Sequence, residues 1–232
     1  MAEYTAPELL VDTAWLAEHL TDPSVRIIEM AQDSTLFAEG HIPGAMVSPD
    51  WQIKNKQNTK LVASPDEAKA WFESVGISDD TLVIGYDRAR NRDSARLWWV
   101  LTYYGHTKVK VLNGGWKKWT AEGRPTEKGE SATSLKKARF TPKAANDAIE
   151  STIDKLKAAI GQSGTLIWDL RSTEEYTGEN ARGNAKAGHV PGAIHLEWTN
   201  LVNDDDTFKA ADSLTALLEP LGFTPEKTIH TY

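Results

Sequence analysis

The sequence contains two copies of one motif, GHIPGAMVSPDW at residues 40–51 and GHVPGAIHLEW at residues 188–198. Each copy begins Gly-His-x-Pro-Gly-Ala and continues through apolar residues to an acidic residue and a tryptophan. A shared pattern of this length predicts one structural unit used twice in the chain.

Two further pairs of segments extend the repeat. VRIIEM (residues 25–30) and TLIWDLR (residues 165–171) are apolar segments that end near an acidic residue, upstream of each motif copy. VGISDDTLVIGYD (residues 75–87) matches LGFTPEKTIHTY (residues 221–232). The order of the matched segments is the same in both halves, as a duplicated domain requires.

The match aligns Tyr86 with Tyr232, and the alternating TIHTY pattern is typical of a buried strand. Past Tyr86 the first copy has a polar loop (residues 87–93), a helical pattern (residues 94–105) ending at a glycine, and a strand and helix (residues 108–123). We therefore expect about forty residues of the second copy to follow Tyr232.

Strand and helix patterns alternate along the chain. Ser64-Pro65-Asp66-Glu67 is a capping box, and residues 151–154 open a second helix in a similar way. This alternation predicts an α/β fold in which each domain is a mostly parallel sheet flanked by helices.

We predict an N-terminal domain over residues 1–124 and a C-terminal domain over residues 147–232 that is incomplete in this chain. Residues 125–146 are rich in Lys, Glu, Ser and Thr and lack apolar periodicity, which is typical of a linker.

Charge and composition exclude several classes of function. A net charge of −7 over 232 residues argues against a sequence-independent grip on nucleic acid. Neither a targeting segment nor a membrane span is indicated, so we expect a cytoplasmic protein. The chain has no cysteine, which excludes disulfides, cysteine-bound zinc and a thiol nucleophile within these residues.

With the repeat laid out, the sequence resembles the two-domain rhodaneses, which are thiosulfate or 3-mercaptopyruvate sulfurtransferases. The resemblance covers nearly the whole chain. It rests on the order and duplication of four segments: residues 40–45, residues 188–193, DLRSTEEYTG (residues 169–178) and VLNGGWKKW (residues 111–119).

The resemblance implies that Tyr232 immediately precedes a catalytic cysteine, so that no catalytic residue lies within this chain. That cysteine would carry sulfur as a persulfide, in a loop whose backbone N–H groups stabilise a thiolate and hold anions. The implied partners are a small anionic sulfur donor, a thiol or cyanide acceptor and the C-terminal remainder of the protein. No cofactor or metal is implied.

In the first copy, Asp87 stands where the cysteine would stand. The resemblance implies an inactive copy, because a carboxylate cannot hold a transferable sulfur. The same loop carries Arg88, Arg90 and Arg92, for which a solvated charged turn or domain contact is favoured over an accessory anion site.

Arg182 matches the position of a substrate-carboxylate arginine in mercaptopyruvate enzymes, although it could equally be a surface residue of a polar insertion. Lys186 is a weaker candidate for the same anion pocket. The second arginine expected in mercaptopyruvate enzymes is replaced by Thr177, which favours thiosulfate as the donor.

Asp169 and Arg171 suit a fixed pair near the sheet edge, and the functional alternative is a role in supporting the active loop, together with Tyr232. His41 and His189 occupy the same position in the two copies of the motif. Because the first copy is predicted to be inactive, we expect a structural role for both histidines in the turn.

Two classes of function remain open. The first is a sulfurtransferase that moves sulfane sulfur from thiosulfate to a thiophilic acceptor. The second is a non-catalytic rhodanese-like module that binds an anion or a protein partner. A phosphatase of related fold would need the same cysteine and a longer loop, and nothing in the sequence favours it.

Overall fold

A computed structural model describes residues 3–31, 33–131 and 137–232. The chain divides into two compact units. The first unit comprises residues 5–146 with the short segment 204–208, and the second contains the remaining described residues. Residues 132–136 of the predicted linker lie outside the described part, and the predicted domain boundaries stay predictions.

The first unit is built on a five-stranded parallel sheet with strand order β1-β5-β4-β2-β3. Its strands are β1 (Leu10–Val11), β2 (Val25–Ala31), β3 (Met46–Pro49), β4 (Leu82–Asp87) and β5 (Val109–Leu112).

The helices of the first unit are α1 (Thr13–Glu18), α2 (Thr35–Glu39), α3 (Pro65–Ser74), α4 (Arg92–Tyr103) and α5 (Gly115–Ala121). Short 3₁₀ helices span Pro7–Leu9 and Asp50–Ile53.

The central strands of this sheet are buried because helices cover them. Val83, Ile84 and Tyr86 of β4 are fully buried, and α4 and α5 both pack against that strand. A nearly continuous apolar run is what a parallel strand covered on both faces requires. The predicted α/β class is therefore confirmed for this unit.

Two helix termini follow from local sequence chemistry. The Ser64 side chain accepts a hydrogen bond from the backbone N–H of Glu67, and the Glu67 carboxylate accepts one from the N–H of Ser64, which confirms the capping box. Just past the C-terminal end of α4, Gly105 has φ +77°, a left-handed conformation that favours glycine at this position.

The described parts of the predicted linker pack onto the first unit. Phe140 is buried and its ring lies 4.7 Å from that of Phe72. Glu127 forms an isolated antiparallel bridge with His41. This segment therefore packs against the first unit although its composition is polar.

The second unit has a three-stranded parallel sheet with order β7-β6-β8. Its strands are β6 (Thr165–Asp169), β7 (Ile194–His195) and β8 (Thr228–Thr231). Its helices are α6 (Ile153–Ala159), α7 (Thr173–Thr177) and α8 (Ala211–Leu218), with 3₁₀ helices over Trp198–Leu201 and Glu219–Leu221.

The two sheets differ at the matched strands β4 and β8. Strand β4 lies between β5 and β2, whereas β8 pairs with β6 alone among the described strands. The TIHTY segment is a strand as predicted, but it is mostly exposed, and Ile229 is 40% exposed. An alternating pattern predicts the strand, while its burial depends on neighbours.

Across the described ranges, no helix combines the length and the apolar character that crossing a membrane requires.

The capping box gives a test of the first unit. Ser64→Ala should lower the free energy of unfolding by about 1 kcal/mol, because the first turn of α3 loses its N-cap acceptor. Urea denaturation measures this change.

Ser34→Ala is the matched control, since Ser34 is the N-cap residue of α2 and makes no side-chain cap hydrogen bond. Its effect should stay within about 0.5 kcal/mol of zero. Equal losses in the two variants would contradict the assigned role of the Ser64 side chain.

Candidate active site

In the second unit, strand register brings Asp169 and Tyr232 together. Trp168 pairs with Thr231, so the next residue of each strand meets at the carboxyl end of the sheet. Arg171 completes the cluster: its Nε lies 2.9 Å from Asp169 Oδ1 and its Nη2 lies 2.5 Å from Oδ2. The Asp169 side chain is fully buried, and the fork of two parallel N–H donors matches its carboxylate.

The same cluster holds the Gly-His-x-Pro-Gly turn. Arg171 Nη2 donates to the carbonyl of Gly188 at 2.9 Å, and the Tyr232 hydroxyl accepts from the N–H of Val190 at 2.9 Å. The Arg171 guanidinium carbon lies 5.0 Å from the Tyr232 ring centroid. Two side chains thus tie the first and the middle residue of the turn to the strand ends.

Electrostatics keep this cluster in one charge state. Burial acts to raise the pKa of Asp169, but hydrogen bonds from Arg171 outweigh it and hold that pKa below its ordinary value. The hydrogen bond to Asp169 raises the pKa of Arg171, and burial raises the pKa of Tyr232. A fixed ion pair beside a neutral phenol positions groups and does not exchange protons near neutral pH.

The first unit contains an equivalent cluster made of Glu29, Tyr86 and Arg88. The Tyr86 hydroxyl donates to the Glu29 carboxylate and accepts from the N–H of Ile42 at 3.2 Å. Arg88 Nε donates to Glu29 Oε1 at 2.7 Å, and its Nη2 donates to the carbonyl of Gly40. Both units therefore hold their turn with a carboxylate, a tyrosine and an arginine.

The loop after Tyr86 folds around the Asp87 carboxylate. Asp87 Oδ1 accepts from the backbone N–H groups of Ala89 (2.8 Å) and Asn91 (2.9 Å). Its Oδ2 accepts from the N–H (2.7 Å) and the hydroxyl (2.8 Å) of Ser94, in the first turn of α4. Asp87 is buried, and burial raises its pKa despite these four donors. The loop is an anion cradle filled by its own side chain.

The three loop arginines have separate acidic partners. Arg88 pairs with Glu29, Arg90 Nε lies 3.4 Å from Asp206, and Arg92 Nε lies 2.8 Å from Asp93. Arg88 and Arg90 also line one open cavity with Lys117, whereas Arg92 is not among its lining residues. Their acidic partners suit a charged turn, and the choice between that turn and an accessory anion site stays a prediction.

Arg182 and Lys186 lie apart from the Asp169 cluster in their contacts. Arg182 has φ +45°, its side chain is 67% exposed, and its Nη1 lies 3.3 Å from Glu175 Oε2. Lys186 is exposed. The structure gives Arg182 a carboxylate partner and leaves most of its guanidinium open to solvent.

The two motif histidines make the same contacts in both copies. His41 Nδ1 lies 2.9 Å from the carbonyl oxygen of Phe37, and His189 Nδ1 lies 2.8 Å from that of Tyr176. Each ring stacks on the aromatic ring of that residue at 3.8 Å. A shared contact in both copies fits a structural role in the turn.

Sequence reasoning missed three residues of the first-unit cluster and loop. Glu29 could have been identified from the sequence, because the repeat aligns its segment with the one that contains Asp169. The roles of Asn91 and Ser94 could not be predicted, since their N–H and hydroxyl donors converge on Asp87 only once the loop has folded.

Known proteins match this chain over its full length. Residues 12–122 and 152–232 match the family described as rhodanese-like domain. The sulfur carrier protein TtuD of Thermus thermophilus is 38% identical over 99% of this chain and 83% of its own length. A thiosulfate sulfurtransferase of Azotobacter vinelandii is 30% identical over 100% of this chain and 84% of its own length.

Solved structures agree with the architecture. The crystal structure of SseA from Escherichia coli, described among the 3-mercaptopyruvate sulfotransferases, superposes with a TM-score of 0.80 at 26% identity, over 96% of this chain and 87% of that one. The anaerobic ergothioneine biosynthesis enzyme of Chlorobium limicola gives a TM-score of 0.89 at 23% identity, over 100% of this chain and 62% of that one, which shows the fold alone.

The family match falls on two separate segments, one in each half of the duplicated sequence, and each half places a carboxylate and a tyrosine under a Gly-His-x-Pro-Gly turn. The chain belongs to the rhodanese-like domain family and carries two copies of that domain.

Proposed function

We propose that the complete protein is a sulfurtransferase that moves sulfane sulfur from thiosulfate to cyanide or a thiol. The transferred atom is carried as a persulfide on a cysteine that directly follows Tyr232. The observation that carries this proposal is the cradle around Asp87, which directly follows Tyr86. Four donors, in this loop and in the first turn of α4, face the position that the family resemblance assigns to the nucleophile.

Such a cradle suits a thiolate for a physical reason. Backbone N–H groups at a helix N-terminus stabilise negative charge, which lowers a thiol pKa and increases the reactive fraction at neutral pH. The same donors stabilise charge on a leaving sulfite.

The proposed reaction proceeds in two balanced steps. The thiolate attacks the outer sulfur of thiosulfate, the sulfur–sulfur bond of the donor breaks, and sulfite leaves with the bonding electron pair. Cyanide or a thiolate then attacks the outer sulfur of the persulfide, and the cysteine thiolate leaves. No redox cofactor is needed, because each step exchanges one nucleophile for another on the same sulfur.

The relatives support a sulfur-handling role. The two curated relatives described above are named for sulfur carriage and for thiosulfate sulfurtransfer, and this chain spans more than four fifths of each. A third relative, from Haloferax volcanii, is named a putative thiosulfate sulfurtransferase at 31% identity.

Thiosulfate is the proposed donor, with Arg182 as its main anion contact and Lys186 as a weaker one. The SseA similarity supports 3-mercaptopyruvate as the competing donor. Thr177 favours thiosulfate, because its hydroxyl supplies no cation for a substrate carboxylate where a second arginine is expected.

The proposal also includes the C-terminal remainder of the protein as a partner of the second unit. In the first unit, strand β5 covers the edge of β4 that corresponds to the open edge of β8. A segment after the nucleophile loop that repeats α4 and β5 would cover Ile229 and pair with β8.

A non-catalytic module is the alternative. The residue that follows Tyr232 in the complete protein separates the two hypotheses. Cysteine supports the enzyme, whereas aspartate or serine at that position supports a module that binds an anion or a protein.

The first prediction concerns the nucleophile. Residues 1–232 alone should form no thiocyanate from thiosulfate and cyanide above the buffer rate, because no thiol is present to hold the sulfur. The complete protein should catalyse the reaction, and replacement of the residue after Tyr232 by serine should abolish it. Colorimetric detection of thiocyanate as its iron complex measures both rates.

Circular dichroism and gel filtration of residues 1–232 serve as controls for folding. Enzymatic turnover by the serine variant, in material free of wild-type protein, would refute the persulfide mechanism.

The second prediction concerns Arg182 in the complete protein. Arg182→Ala should raise the KM for thiosulfate severalfold, since a hydrogen bond to a charged group contributes about 1.5–3 kcal/mol and solvent screening reduces that value at this exposed side chain. Steady-state kinetics with varied thiosulfate measures the change.

Arg139→Ala is the matched control, because Arg139 is an exposed arginine of the first unit. It removes the same charge and should leave KM unchanged. If both variants kept the wild-type KM, Arg182 would be a surface residue paired with Glu175.

A further inference from the structure

The two units obtain the same guanidinium from different places in the chain. In the first unit, Arg88 lies two residues after Tyr86, within the loop that follows β4. In the second unit, Arg171 lies two residues after Asp169, following β6. The position two residues after Glu29 is occupied by Ala31, which cannot replace Arg88.

The contacts of these two arginines coincide. Each donates Nε to a carboxylate at or near the carboxyl end of its strand, and each donates Nη2 to the carbonyl of the glycine that precedes the motif histidine. Each guanidinium also lies against an aromatic ring, Trp116 for Arg88 at 4.3 Å and Tyr232 for Arg171 at 5.0 Å. Arginine is suited to this place because its planar fork fixes two acceptors at once.

The exchange changes what the following loop must do. In the first unit, Arg88 of the loop binds Glu29 and the carbonyl of Gly40, so a side chain of the loop itself holds the turn. In the second unit, Arg171 performs that task from a neighbouring strand. A loop after Tyr232 is therefore not required to supply the guanidinium.

We infer that Arg171 is a positioning residue for the nucleophile loop, an inference that rests on the proposed function. Arg171 fixes Tyr232, the residue before the proposed nucleophile, and through Gly188 it fixes the turn that Tyr232 also binds. It leaves every donor of the loop to the nucleophile and the sulfur donor.

Arg171 is not a substrate clamp. Its Nε and Nη2 donate to the Asp169 carboxylate and the Gly188 carbonyl. The fully buried Asp169 carboxylate balances the positive charge of the guanidinium. Its loss should therefore alter the alignment of the reacting groups and not the affinity for the donor anion.

The test uses the complete protein with Arg171→Lys, which keeps the charge and removes the fork. We expect kcat to fall about tenfold or more, because small displacements of a reacting group reduce the rate steeply. KM for thiosulfate should stay within about twofold of wild type, since the contacts that bind the donor anion are unchanged. The acidic limb of the kcat/KM pH profile should move to higher pH, as a loosened loop stabilises the thiolate less.

Arg88→Lys is the matched control, because it makes the same change in the cluster of the first unit. It should lower the melting temperature without moving kcat or the pH profile. Wild-type kcat in Arg171→Lys, or a change confined to KM, would overturn the inference.

A second measurement does not depend on activity. Arg88→Ala should lower the melting temperature of the protein. Adding Ala31→Arg should restore at least half of that loss, because it supplies a guanidinium from β2, the counterpart of the strand that carries Arg171 in the second unit. Failure of this rescue would refute the equivalence of the two arginines. A complete protein without any sulfur transfer, but with the rescue intact, would refute the proposed function instead.

Discussion

The hydroxyl of one tyrosine in each unit holds the Gly-His-x-Pro-Gly turn against the sheet, and the remaining geometry depends on it. Tyr86 and Tyr232 each accept the N–H of the residue after the motif histidine, and each stands beside a buried strand-end carboxylate. A buried carboxylate needs partners, since an uncompensated charge of this kind destabilises a fold strongly. The tyrosine, the arginine and the turn are therefore held together as one cluster.

The duplicated motif predicted most of this architecture from the sequence. Its repeat aligned Tyr86 with Tyr232 and the Glu29 segment with the Asp169 segment, and parallel strands carry such aligned residues to the same edge of a sheet. The resemblance to the two-domain rhodaneses, and not the repeat itself, implied that Asp87 occupies the nucleophile position. The alignment of the tyrosines and of the acidic segments depends on chain order alone, which a repeat reveals directly.

Other features could not be predicted in this way, because they depend on what meets in space. The Asn91 side chain donates to the backbone carbonyl of Asp206, 115 residues further along the chain. The exposure of Ile229 depends on which strands flank β8. The different origins of Arg88 and Arg171 are invisible to alignment, since equivalent atoms here do not occupy equivalent positions in the repeat.

The Asp87 carboxylate has a consequence for how the first unit responds to its surroundings. A group attached to the loop that binds it has a local concentration far above that of any dissolved anion, so free ligands cannot compete with it. In pharmacological language, the first domain is a receptor with a tethered antagonist. Its occupancy is set by covalent connectivity and not by the concentration of dissolved anions.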